Sequence, residues 1–137
     1  MTGTSSQMSD LFALRRRFFR SIDLEKDIQN ESALEGYILT PLAEKTLTHI
    51  LDGLRSDATG RAWTLTGPYG GGKSAFALYL TQLLGPTESR PTKSAIQIAK
   101  AAGERLEEHV RQARHRKAKG FLRIVVGGSR GDLLPSL

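Results

Sequence analysis

Eight consecutive residues, Gly67, Pro68, Tyr69, Gly70, Gly71, Gly72, Lys73 and Ser74, match the pattern G-x-x-x-x-G-K-[ST] without departure. No other stretch limits the fold of this chain as much. The pattern works where a backbone leaves an extended segment, wraps an anion and enters a helix. Both flanks agree with that context. Arg61, Ala62, Trp63, Thr64, Leu65 and Thr66 read as a short strand. Residues 75–84 read as a helix that is apolar almost all round, which belongs inside a fold. A flexible glycine-rich connection would explain the glycines but not the lysine, the serine and the two flanks together.

The residue types say which ligand such a loop takes. The first turn of a helix offers N–H groups without intrahelical partners and the positive end of the macrodipole, which suits phosphate. Gly67, Gly70, Gly71 and Gly72 let the main chain wrap closely around an anion. Pro68 stiffens the turn and offers no N–H, whereas Ala75 adds a backbone donor in the first helical turn. Tyr69 fills a free position, either over the nucleotide or at a partner surface. Lys73 is expected to reach the β- and γ-phosphates and to act as the catalytic residue, stabilising charge on a transferring phosphoryl group. The Ser74 hydroxyl is expected to ligate Mg²⁺. The expected cofactors are therefore ATP and Mg²⁺. No N-K-x-D motif for reading guanine occurs, which tips the base towards adenine.

Around this centre the chain divides into a polar N-terminus (1–9), a helical segment (10–60) and a partial core (61–137). A first helix is expected over 10–20, with Leu11, Leu14 and Phe18 on one face and Arg15, Arg16, Arg17 and Arg20 beside it. Residues 23–30 read as turn-like and 34–40 as extended. Thr40 and Pro41 make a good N-cap and first position for a helix over 41–54, with Asp52 and Gly53 as its end signal. A loop follows at 56–60. After the stop at Gly85 and Pro86, one long helix is expected from Pro91 to about Lys119, with Ala95, Ile98, Ala99, Ala102, Leu106, Val110 and Ala113 on its apolar stripe. Gly103 weakens it by about 1 kcal/mol relative to alanine. Residues 121–126 (Phe, Leu, Arg, Ile, Val, Val) read as a second strand, and 127–132 as a loop at its carboxyl end. The fold class that follows is α/β, a P-loop NTPase-type parallel sheet with flanking helices.

Composition bounds the chemistry. The 137 residues suffice for one domain with a core. There is no cysteine, which rules out disulfides and thiolate metal sites, and His49, His109 and His115 show no ligand spacing. No apolar run approaches the ~20 residues needed to span a bilayer. The arginines at 15–17 are followed by the charged stretch 21–27 rather than by an apolar segment, so they are not read as a secretion signal. A cytoplasmic protein without membrane contact is expected. The net charge of +6 permits an acidic partner such as DNA. Basic residues at 15–20 and 111–119 either form solvated faces or contact phosphates. A basic nucleic-acid-binding module of a DNA-processing or defence protein is thus the alternative to an ATP-binding domain.

Hydrolysis needs a second acidic site at the end of a later strand. Val126 is followed by Gly127 and Gly128, with no acid, and Asp132 and Arg130 are weak stand-ins for the missing acid and for an arginine finger. Together with the shortage of strands, this reads as the N-terminal piece of a longer ATPase.

Residues 18–84 resemble the N-terminal part of large bacterial P-loop ATPases of the AAA+/STAND type, some of which belong to anti-phage defence or DNA-processing systems. The resemblance rests on Leu34 to Pro41, on Ile50 to Leu54, and on the run from Arg61 through the loop to Leu78. It implies an ATPase that couples nucleotide state to conformational change, working with DNA or with other subunits and possible as an oligomer. It also implies that Tyr37, Ile38 and Leu39 border the base.

Overall fold

A computed structural model describes residues 22–55, 61–115 and 119–128. The polar stretch 1–9, the expected helix 10–20, the loop 56–60, the basic residues 116–118, and Arg130 and Asp132 lie outside the described residues. Helix α1 (Leu24–Asp27) is one turn, capped by the Asp23 side chain, which accepts from the Lys26 N–H. It is followed by a 3-10 turn, Glu31–Leu34, capped by Asn30. Then come α2 (Pro41–Arg55), α3 (Lys73–Leu83), α4 (Arg90–Ala102) and α5 (Glu104–Arg114). No described helix is long and apolar enough to cross a membrane.

The expected parallel sheet is not there. Among the described residues none belongs to a strand, and the body is helical. Residues 61–66 are exposed throughout. Along 121–126 exposure alternates residue by residue, with Leu122, Ile124 and Val126 at 90%, 77% and 82%. The segment thus turns successive side chains to opposite faces, as extended backbone does. A strand also needs a neighbour to take its backbone hydrogen bonds, and composition does not supply one. The Phe121 N–H goes instead to the Leu84 carbonyl at the end of α3, at 2.9 Å.

Two non-helical readings need correction as well. The first residues of the expected extended stretch 34–40 are helical or turn, because Asn30 caps the 3-10 turn and Gly36 takes a positive φ of 69°. Residues 23–30, read as turn-like, hold the short α1. Helix α2 ends one residue beyond the expected 41–54, with Gly53 of its end signal inside the last turn. A Cβ on Gly53 would fall 2.6 Å from the Trp63 ring, so this glycine seats an indole against the helix.

The expected long helix 91–119 is two helices. Gly103 breaks it with φ 142° and ψ 158°, a conformation that side chains with a Cβ rarely adopt. Its N–H closes α4 on Lys100, and its carbonyl opens α5 by accepting from Glu107. A continuous helix would run roughly 40 Å at 1.5 Å per residue. The break lets α5 fold back against α2 and α4. Glu104 and Glu107 in the first turn of α5, and Arg111 and Arg114 in its last, suit the helix dipole.

The core lies between α2, α3, α4 and α5. Leu47, Leu51, Leu78, Tyr79, Leu83, Ala95 and Ala99 are fully buried, and Leu106 and Val110 nearly so. Each large side chain here contributes about 1.5–3 kcal/mol through burial. As its apolar run requires, α3 is central: it touches α1, the 3-10 turn and α4.

Candidate functional site

The glycine-rich loop is built from turns that its residues dictate. Pro68 opens a tight turn, closed by a hydrogen bond from the Gly71 N–H to the Pro68 carbonyl at 3.2 Å. Gly70 and Gly72 hold positive φ values of 77° and 76°. Gly72 is the N-cap of α3, and no side chain caps this end. By contrast, Thr40 Oγ1 accepts from the Ala43 N–H at the head of α2, and Ser89 Oγ from the Thr92 N–H at the head of α4. The opening donors of α3, from Lys73, Ser74 and Ala75, therefore face outward from the loop without a capping side chain.

Lys73 curls back over this loop. Its Nζ donates to the Gly67 carbonyl at 2.9 Å and to the Pro68 carbonyl at 2.7 Å. One ammonium group thus sits at the mouth of the loop beside the positive end of a helix. Ser74 is exposed one residue further on, Ala75 is half-buried, and Tyr69 projects into solvent at 98% exposure.

A cavity of about 440 Å³ opens beside the loop. Gly71, Gly72 and Lys73 form one end of its wall, with Thr64 and Thr66 from the preceding segment and Phe76 from α3. The other side is made by Tyr37, Ile38 and Thr40, and by Leu42, Ala43 and Thr46 of α2. Tyr37 and Ile38, expected near a base, do line it. Leu39 turns the other way and packs half-buried against the core.

The wall is anchored from behind. The Tyr37 ring stacks on Tyr79 of α3, with centroids 5.3 Å apart and planes at 29°. Burial raises the pKa of the Tyr37 hydroxyl. Burial first, and then the neighbouring Tyr37, push the Tyr79 hydroxyl well above the usual phenol range, so both stay neutral. Gln82, fully buried, donates through Nε2 to the carbonyls of Asp27 and Asn30, both at 3.0 Å. This ties α3 to the segment that leads into Tyr37.

The far end of α3 is held by two arginines that the sequence pattern did not single out. Arg114 donates to the Leu83 carbonyl, to Gly85 O at 3.0 Å and to Thr87 Oγ1 at 2.9 Å. Arg123 donates to Thr81 O at 3.1 Å. Burial, and then the charge of Arg123, lower the pKa of the Arg114 guanidinium. In the sequence Arg114 is one basic residue among several, and only its place on the stripe side of α5 hints that it turns inward.

The other described basic residues of α4 and α5 largely find carboxylates. Arg111 grips Glu108 with Nε at 2.8 Å and a terminal nitrogen at 2.7 Å. Lys100 meets Glu107, Lys93 meets Glu88, and Arg90 meets Glu31. Of the basic run 111–119, Arg111 is thus paired within its own helix. Among the described residues no group of three or more His, Asp or Glu side chains is placed to hold a metal ion.

Comparison with known proteins returns no match: no family model, no curated protein and no solved structure matches this chain.

Proposed function

We propose that this chain binds ATP–Mg²⁺ through residues 67–74, as the nucleotide-binding part of an ATPase that couples nucleotide state to conformational change. The observation that carries this reading is the position of Lys73. Its ammonium lies over the Gly67 and Pro68 carbonyls, at the head of a helix without a side-chain cap, beside a cavity of about 440 Å³. That volume falls in the usual range for small-molecule sites. In this reading the N–H groups of 72–75 and Lys73 hold the phosphates, Ser74 ligates Mg²⁺, and the base lies in the cavity against Tyr37 and Ile38. Phosphate oxygens replace the two loop carbonyls as partners of Lys73, and an ammonium bonds an anionic oxygen more strongly than a neutral carbonyl. None of the described residues lining the cavity is acidic, so ATP is expected to be held rather than turned over rapidly. A cytoplasmic setting goes with this reading.

The test is calorimetry with ATP–Mg²⁺ on the parent chain and on Lys73→Ala. Measurable binding by the parent, weakened about a hundredfold or more by the substitution, is the expected result. Equal affinity in the two proteins would overturn the reading.

A further inference from the structure

We propose that the cavity beside the loop reads a purine by its faces and not by its edge, so that the site takes ATP and GTP with similar affinity. This rests on the nucleotide reading above and concerns what that site selects. Three of the chain's exposed large apolar side chains, Ile38 at 79%, Leu42 at 75% and Leu65 at 39%, line this one cavity, together with Tyr37 and buried Phe76. Exposed apolar side chains gathered at a concave site mark a place where an apolar surface docks. Flat aromatic and aliphatic walls accept either face of any purine, because every base presents a π-surface.

Strong discrimination has another requirement. A site rejects the wrong base by large factors only when it carries fixed hydrogen-bonding groups that the wrong base leaves unpaired. No carboxylate or carboxamide is found among the described residues that line the cavity. Two of its hydroxyls are already engaged within α2: Thr40 accepts from the Ala43 N–H, and Thr46 donates to the Leu42 carbonyl at 2.9 Å. Tyr37, Thr64 and Thr66 supply the others. A hydroxyl rotates to act as donor or acceptor, so it serves the adenine and the guanine edge alike. Lys73, the charged residue of the lining, sits at the phosphate end.

The experiment measures dissociation constants of ATP, GTP and inorganic tripolyphosphate, each with Mg²⁺, for the parent and for Ile38→Ser with Leu42→Ser. Both side chains are largely exposed, so the double substitution leaves the core untouched. The expected result is ATP and GTP within about tenfold of each other, as apolar pockets discriminate weakly. Both should bind more tightly than tripolyphosphate, and the double variant should weaken both nucleotides by a similar factor while leaving tripolyphosphate unchanged. A preference for either purine beyond about tenfold would overturn the proposal and assign recognition to main-chain groups, with nucleotide binding intact. Nucleotides binding no better than tripolyphosphate would overturn it by removing the base from the cavity. Failure of all three ligands to bind the parent would refute the nucleotide reading itself, and this proposal with it.

Discussion

Helix α3 delivers its last carbonyls to Arg114 and Arg123, whereas at its first turn it starts on a bare glycine and meets no capping side chain. The C-terminal end is crowded. A Cβ on Gly120 would fall 2.5 Å from the backbone of Gly85, and one on Gly85 would meet Thr92 and Arg123. The N-terminal end is open: a Cβ on Gly70 or Gly72 would meet nothing within 4 Å. One helix is thus fixed at one end and left unfinished at the other. The difference separates what holds the fold together from what is left to meet a ligand. Backbone groups satisfied by the protein are spent on stability, while groups left to solvent cost little and remain usable.

The comparison breaks most directly by removing one cation from each end. Arg114→Ala leaves the Leu83 and Gly85 carbonyls buried without their charged donor, and is expected to destabilise the protein by about 3 kcal/mol in urea unfolding. Lys73→Ala, whose contacts are exposed, is expected to change stability by less than about 0.5 kcal/mol. Similar costs for the two would mean that the ends of α3 are not differently built. Gly120→Ala sharpens the contrast. Its φ of 78° and the close approach of Gly85 predict a loss of about 2 kcal/mol, visible as a lower denaturation midpoint.

A smaller effect is expected at the centre of the helix. The Tyr79 hydroxyl is buried without a hydrogen-bond partner among the described residues. Tyr79→Phe should therefore be neutral or stabilising by up to about 1 kcal/mol, with the Tyr37 stack retained. A clear destabilisation would reveal a partner for that hydroxyl. The smallest effect belongs to the surface of α5. Hydrogen bonds from Arg111 and Gln112 hold the Glu108 carboxyl at a pKa of about 2, below its ordinary 4.5. A depressed folded value stabilises the fold above the ordinary pKa, and the effect is lost as pH falls from 4.5 towards 2. The pair is exposed, so Glu108→Gln should lower stability only slightly at neutral pH, and that small difference from the parent should vanish as pH falls from 4.5 towards 2. A large loss at neutral pH would show that the pair does more than tie one turn of α5.

Much of the helical body is legible along the chain, because its signals are local. Thr40 and Pro41 mark the start of α2, and Gly85 and Pro86 mark the stop of α3. Of the expected stripe, Ala95, Ala99, Leu106, Val110 and Ala113 are buried and Ile98 is half-buried, whereas Ala102, beside the break at Gly103, is exposed. The break at Gly103 is the instructive miss. A glycine in a helical pattern reads as a small penalty, and whether the chain bends there depends on what α5 gains by returning to α2. Arg114 was hidden for a similar reason: it stands in a run of basic residues, and its own partners are two carbonyls and the Thr87 hydroxyl, 27 to 31 residues away.

The candidate site divides along the same line. Sequence alone determined the loop, since a proline, glycines at the positions of positive φ and a lysine at the first helical position act through neighbours a few bonds away. The residues of 121–126 favour an extended backbone, but which of them face solvent does not follow from their order, since apolar Leu122, Ile124 and Val126 are the exposed ones. Tertiary structure decided that this segment runs along α3 without strand pairing, that Tyr37 and Ile38 face the loop while Leu39 turns to the core, and that two arginines close the far end of α3. Those outcomes depend on which surfaces meet, and a buried carbonyl or an unfilled cavity exists only once distant segments have been brought together.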